Sequence, residues 1–321
     1  MGLSKRLSVF ASLICSVLSA ILCGCGKEDG GSRIGVSIPA ADHGWSAGVV
    51  WNSEQAKAEI EKKYPGSEVL VVTAKNSADQ VSGIENMLMR KVNALVVMSQ
   101  DPVPLAGVCR KAKEKGTYLV IVSNPVEGVR PDVFVKGDNR SMGIEAAHAV
   151  GREIGGKGGI VLMKGQPCPI DNDRVGGFKE TLAKEYPEIR ILDEGDAFWK
   201  AEKGQQLMEL FLQKHSVIDC VWAGDDDVLT GALLAYEKSG RKDVRGFVGG
   251  GGAKVIVKKI ADKDPLVKAT VTYSPAMIRT GIDAAVEKLF LNKEPAPEIV
   301  IRSEIVTPEN ARRYYFENSP Y

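Results

Sequence analysis

Short, continuous runs of Val, Ile, Leu and Ala recur along this chain, and each is followed by a stretch with helical spacing. Ile34–Ile38, Val69–Thr73, Ala94–Ser99 and Tyr118–Ser123 have strand length and no wet face. Trp51–Lys63, Ala78–Arg90 and Leu105–Lys115 lie between them, charged along one side. Strands apolar on both faces and separated by helices require a parallel sheet covered on both sides. The pattern then restarts with Ile160–Met163, Ile191–Asp193, Cys220–Ala223, Gly246–Val248 and Ala269–Thr272 as strands. Its helices are Arg174–Glu185, Ala201–His215, Val228–Ser239 and Ala253–Asp262, followed by a long helix Pro275–Leu291 and a strand Ile299–Arg302. The expected fold class is α/β, with two doubly wound parallel-sheet lobes and a cleft between them. Ligands of such sheets bind outside the carboxyl ends of the strands.

The N-terminus places the chain. Lys5-Arg6, an apolar run from Leu7 to Leu22 and a small-residue site have the make-up of a secretory signal peptide. The run is rich in Ser and shorter than the about 20 apolar residues that span a membrane. Leu22-Cys23-Gly24-Cys25 resembles the bacterial lipobox, whose last cysteine is lipidated; Cys23 departs from the Ala, Ser or Thr usual at its place. The expectation is an extracytoplasmic protein held to the membrane by a lipid on Cys25, with Gly26–Ser32 as a polar tether.

Bulk properties exclude several classes. The chain has 42 basic and 41 acidic side chains, and losing Lys5 and Arg6 leaves a net charge of −1. That balance gives no electrostatic reason to bind nucleic acid. Beyond Cys25 only Cys109, Cys168 and Cys220 remain, without metal-type spacing. Cys109 and Cys220 read as small core residues, Cys168 sits on a loop, and pairing of Cys109 with Cys168 is left open.

Residues just after each strand mix aromatic rings with hydrogen-bonding groups. His43 and Trp45 follow the first strand, Asn124 the fourth, and Asp138 leads out of the first lobe. In the second lobe Arg174, Trp199, Asp225 and Tyr273 stand at or beyond strand ends. Rings that stack on C–H faces, beside groups that bond hydroxyls, suit a polyhydroxylated ligand.

From Ile34 to about Val306 the chain resembles the ribose-binding-protein-like, type 1 periplasmic binding proteins of ABC sugar importers. The resemblance is carried by Gly137-Asp138-Asn139 before a helix and Arg174-Val175-Gly176-Gly177-Phe178 opening another. Ala223-Gly224-Asp225-Asp226-Asp227 with Gly231-Ala232, and Ala269-Thr270-Val271 before Pro275, complete it in order and spacing. It implies that His43 and Trp45 cover the sugar, Arg174 bonds its hydroxyls, Trp199 stacks, Asp225 accepts and Tyr273 reaches in from the hinge. It also implies closure about crossings near Gly137, Tyr273 and Ser303. The domain division expected is 1–24 signal peptide, 25–32 tether, 33–137 with 274–302 one lobe, and 138–273 with 303–317 the other. Two departures stand out: Ser123-Asn124 replaces the Asp-Arg pair of ribose binders, and Gly251 replaces their Asp. Ribose itself is disfavoured, and a different pentose, hexose or polyol fits better, with room for bulk at Gly249–Gly252.

Rival readings are weaker. His43 has no visible nucleophile and supporting acid around it, so an enzyme is not expected. Asp225-Asp226-Asp227 reads as helix capping plus one ligand acceptor before it reads as a metal site. Gly155–Gly159 follows a helix and precedes a strand, the wrong order for a dinucleotide loop, and Gly249–Gly252 lacks the Lys-Ser/Thr of a phosphate loop. No cofactor and no metal are expected. The expected function is a monomeric solute-binding lipoprotein that delivers a monosaccharide or polyol to an ABC transporter permease. The alternative is a receptor that presents sugar occupancy to a histidine kinase or chemoreceptor, or one that takes a nucleoside or signal molecule.

Overall fold

A computed structural model describes residues 31–321. The expected signal peptide, the lipidated Cys25 and most of the tether lie outside the described residues.

The chain opens with β1 (Arg33–Pro39), α1 (Gly44–Lys63), β2 (Glu68–Ala74), α2 (Ser77–Met89), β3 (Ala94–Met98), α3 (Ala106–Glu114), β4 (Tyr118–Val122) and β5 (Val133–Gly137). It crosses into α4 (Asn139–Ile154), β6 (Lys157–Lys164), α5 (Pro169–Glu185), β7 (Glu188–Asp196), α6 (Ala201–Lys214), β8 (Cys220–Ala223), α7 (Asp226–Ser239), β9 (Gly246–Gly251), α8 (Lys254–Ala261) and β10 (Val267–Thr272). It returns as α9 (Met277–Leu291) and β11 (Glu298–Ile301), then crosses again to β12 (Ile305–Val306) and a 3₁₀ turn, Ala311–Tyr314. One six-stranded sheet has the order β11-β5-β4-β3-β1-β2 and the other β12-β10-β9-β8-β6-β7. All pairings are parallel except β10 with β12. These are the two α/β lobes and three crossings expected.

The strands are apolar on both faces because helices cover both. Ala94–Met98 is buried at every position, as is Cys220–Ala223. Beneath the second sheet Phe178 stacks on Trp222 with ring centres 4.0 Å apart. Trp222 is core, as its place inside a strand implied.

Boundaries differ from expectation where small or polar residues do the packing. Helix α1 begins at Gly44 rather than Trp51; Val49 and Ile60 apart, its buried side is Ser46, Gly48, Ser53 and Ala56. These residues carry little hydropathy signal. Helix α5 begins at Pro169, five residues before Arg174, with proline in the first turn where its missing N–H costs nothing. Strand β5 alternates buried and half-buried positions, so it lacks the continuous apolar run of its neighbours.

The glycine run after Gly246–Val248 is strand, not open space. A Cβ at Gly249 would lie 2.0 Å from Asp226 Oδ1, and one at Gly250 would lie 2.5 Å from Met142 Cε. The expected room for a bulky ligand is therefore filled by other parts of the protein at Gly249, Gly250 and Gly251, where Tyr321 Oη would lie 2.0 Å from an added Cβ, and only Gly252 keeps ordinary contact distances. Cys109 is buried in the first lobe and Cys168 is partly exposed; both are free thiols.

Candidate ligand cleft

A cavity of about 380 Å³ lies between the lobes at the carboxyl ends of both sheets. A larger one, about 740 Å³, sits at the amino ends of β3 and β4 among Lys91, Lys113, Lys115 and Lys288. The strand-end rule and the residue chemistry favour the first as the ligand site.

On the first lobe the turn between β1 and α1 is self-bonded. The backbone N–H groups of Asp42 and His43 donate to Ser46 Oγ at 3.0 and 3.1 Å. His43 Nδ1 stands 2.6 Å from Asp42 Oδ1, which fixes the imidazole. Burial would raise the Asp42 carboxyl, but its bond to His43, the charge of that ring and Ser46 together hold it below the usual value. Trp45 Nε1 donates to the carbonyl of Tyr273 at 2.7 Å, so its donor is spent on the hinge and its ring face remains for a ligand. Asn124 donates weakly to Ser99 O, at 3.5 Å. Asn124 Oδ1 and Ser99 Oγ are buried without a hydrogen-bond partner.

The second lobe presents a bonded wall. Arg174 is 4% exposed. It donates from Nε to Asn139 Oδ1 at 3.0 Å and from Nη1 to Gly224 O at 2.9 Å. Its guanidinium lies 4.4 Å from the Tyr273 ring centre and 5.2 Å from that of Trp199. Close approach of α4 and α5 sets it there, since a Cβ at Gly143 would lie 2.0 Å from the Arg174 carbonyl oxygen. Asp225 caps α7, its Oδ1 accepting from the N–H groups of Asp227 and Val228 at 2.8 and 3.4 Å. Burial, with Asp227 and Asp226 beside it, pushes its carboxyl up to about 7. Asp226 is turned away from the cavity and accepts from Thr270 and from the N–H groups of Gly252 and Ala253. Asp227 accepts from Gly44 N–H at 2.9 Å, a bond between the lobes.

Three non-glycine residues in the cavity wall hold left-handed backbone: Ser123 at φ 70°, Phe198 at 53° and Trp199 at 61°. Such conformations cost of order 1–3 kcal/mol each and cluster at functional sites. At Ser123 the strained turn points Oγ at Tyr273 OH, 3.0 Å away.

The structure thus brings His43, Trp45, Asn124, Arg174, Trp199, Asp225 and Tyr273 to one cavity. Asp138 is not among its lining residues. That carboxylate accepts from Ser141 N–H and Ser141 Oγ at 3.0 and 2.7 Å, capping α4 at a lobe crossing. Asp42, Ser99, Gln100, Gln166 and Phe198 also line the cavity; Asp42, Gln166 and Phe198 lie in strand-end segments without being marked there as ligand contacts. Ser99-Gln100 directly follows β3, so the strand-end rule applied to every strand would have found it.

The amides of Gln100 and Asn124, the Ser99 hydroxyl and the Asp42–His43 pair on one wall, Arg174 and the Asp225 carboxyl on the other, and ring faces at both ends can bond and stack on a hydroxylated ring. The outlying histidines are engaged elsewhere: His148 bonds Tyr186 and His215 bonds Asp193. Among the described residues no group of His, Cys, Asp and Glu is arranged to hold a metal ion, and no helix is long and apolar enough to cross a membrane.

Residues 34–293 match the model of the periplasmic binding protein domain. The ribose import binding protein of Bacillus subtilis is 28% identical over 238 residues, covering 74% of this chain and 76% of that protein. A xylitol-binding protein of Mycolicibacterium smegmatis is 25% identical over 92% of this chain and 91% of its own. Among solved structures, an ABC transporter solute binding protein from Bacillus halodurans with bound myo-inositol is 25% identical. It superposes with a TM-score of 0.80 over 92% of this chain and all of that one.

Proposed function

The chain belongs to the periplasmic binding protein family, and on that premise we propose that it captures a monosaccharide or polyol between its lobes and delivers it to an ABC importer. Proteins of this family work outside the cytoplasm, and we place this chain there as a monomer tethered by a lipid on Cys25. The lobes are assigned as residues 33–137 with 274–302 and residues 138–273 with 303–317. The observation that carries the reading is the confrontation of Arg174, Trp199 and Asp225 with Trp45 and the unpartnered atoms Asn124 Oδ1 and Ser99 Oγ across one cavity. The ligand bonds Arg174 and Asp225 on one side and Asn124 on the other, while Trp45 and Trp199 cover its C–H faces. Closure about the three crossings buries it. The reading is of a binder rather than an enzyme, because Asp42 and the Ser46 hydroxyl share one ring nitrogen of His43, Nδ1, instead of flanking the imidazole as an acid–base–nucleophile relay requires, and Ser46 Oγ is spent on Asp42 and the His43 carbonyl.

A thermal-shift screen of residues 26–321 against pentoses, hexoses, polyols, nucleosides and amino acids tests this. A ligand at about 100 times its dissociation constant adds about 2.7 kcal/mol of stability. A shift with a sugar or polyol supports the reading. A shift with a nucleoside alone would overturn the substrate class.

A further inference from the structure

The segment after β12 runs back along the second lobe and carries Tyr321 to a buried position. Lys254 Nζ, on α8, donates to the carbonyls of Glu317 and Ser319 at 3.1 and 2.6 Å and pins it. The segment closes one side of a cavity of about 660 Å³ behind the hinge, which shares Gly251 with the ligand cleft. Tyr321 is 6% exposed. Its ring packs on the start of α1 in the first lobe, where a Cβ at Gly44 would lie 3.2 Å from Tyr321 Cδ2 and one at Gly48 would lie 3.0 Å from Tyr321 Cβ. Its hydroxyl reaches the second lobe, 2.0 Å from where a Cβ on Gly251 would stand.

That hydroxyl is buried and has no hydrogen-bond partner. A buried donor without a partner is costly unless something supplies one. Carboxylates stand close by: Asp226 Oδ2 is 3.8 Å from the same Cβ position on Gly251, and both Asp227 oxygens are 3.0 Å from where a Cβ on Gly44 would stand, beside the Tyr321 ring. Burial first, then the carboxylates of Asp225, Asp226 and Asp227, raise the phenol well above its ordinary value, so it stays a proton donor. Gly251 itself has φ 124° and no side chain to offer the cleft.

We propose that Tyr321 is a positioning residue of the ligand cleft, filling the space of the missing side chain at position 251 and holding its hydroxyl against the Asp225–Asp227 wall. It touches both lobes at the edge of the bond from Gly44 to Asp227, so it favours the closed arrangement that holds ligand. The inference rests on the reading of the cleft as a sugar or polyol site.

The test is a double-mutant cycle of Gly251→Ala and Tyr321→Phe in the mature chain. Affinities for xylitol, D-ribose, D-xylose and myo-inositol are read by calorimetry, and melting temperature is read beside them. Tyr321→Phe weakens binding about fivefold, while melting stays level or rises because a partnerless hydroxyl is gone. Gly251→Ala collides with the hydroxyl, but in the Tyr321→Phe background the nearest ring atom is Cζ at 3.3 Å. The double variant therefore recovers about tenfold of the affinity lost by Gly251→Ala; the backbone strain at position 251 is common to both backgrounds and cancels. Additive effects in affinity and melting would overturn the proposal, as would unchanged affinity in Tyr321→Phe. A wild type that binds none of the four, nor any sugar or polyol of the wider screen, fails the functional reading instead. The melting cycle then decides the placement alone: coupling supports it and additivity overturns it.

Discussion

On the second lobe's wall, Arg174 is already bonded to Asn139 and Gly224, and Asp225 already caps α7. On the first lobe's wall, Asn124 Oδ1 and Ser99 Oγ are buried with nothing to bond. The first arrangement holds its side chains in place before a ligand arrives, so binding spends little on ordering them. The second stores unmet hydrogen-bonding capacity that a ligand satisfies. A neutral, hydroxyl-rich molecule meets both needs, because each hydroxyl donates and accepts. The second lobe therefore fixes the ligand's orientation, while the first contributes when the lobes close on it.

The largest effect expected is from Arg174→Ala, which removes a buried cation and strands Asn139 Oδ1 and Gly224 O. Affinity should fall by about 3 kcal/mol, roughly a hundredfold, in a calorimetric titration, and the melting temperature should fall with it. Arg174→Lys should rescue little, since a point charge cannot reproduce two directed bonds and a planar stack. Full affinity in Arg174→Ala would break the comparison at its strongest point.

Trp199→Ala comes next. Its left-handed backbone is no longer repaid by a ring over the ligand, and affinity should drop by about 1.5 kcal/mol, roughly tenfold. Asn124→Ala sharpens the contrast between the walls. Its lost acceptor has no partner in the protein, so affinity should fall by about 1 kcal/mol, near fivefold, while melting without ligand stays level. A drop in melting as large as that of Arg174→Ala would mean the first wall is as structural as the second.

A further effect, on stability rather than affinity, is in pH. Asp225 and Asp226 are each pushed up to about 7, with burial the largest cause for both. Their unfolded value is near 3.8. Between about pH 4 and pH 7 the folded chain therefore keeps protons that the unfolded chain has lost, so stability falls as pH rises through that window and levels above it. Melting at about pH 7.5 should lie below melting at about pH 5, and Asp225→Asn should shrink that difference. An unchanged difference would show that Asp225 ionises normally.

Much of this was legible in the residues, for reasons that differ by element. Ile34–Ile38 and Ala94–Ser99 announced buried parallel strands because both their faces are apolar, and strand ends then pointed to Trp45, Asn124, Arg174 and Asp225. Asp138 misled, because a carboxylate at a helix start caps the helix as readily as it meets a ligand. The first turns of α1 were invisible because their buried side is Ser and Gly. Position 251 looks vacant in the sequence, since nothing local tells that Tyr321, far along the chain, fills it. Close approach between distant segments is a property of the fold, and Gly249 against Asp226 is of the same kind.

The central claim is that one ligand is held by both walls at once. The most direct measurement is a calorimetric titration of the sugar or polyol that most stabilises the wild type into wild type, Arg174→Ala and Asn124→Ala side by side. The account predicts saturable binding by wild type, loss in both variants, and the larger loss in Arg174→Ala. Equal, undiminished affinity in both variants would contradict it and place the ligand outside this cleft.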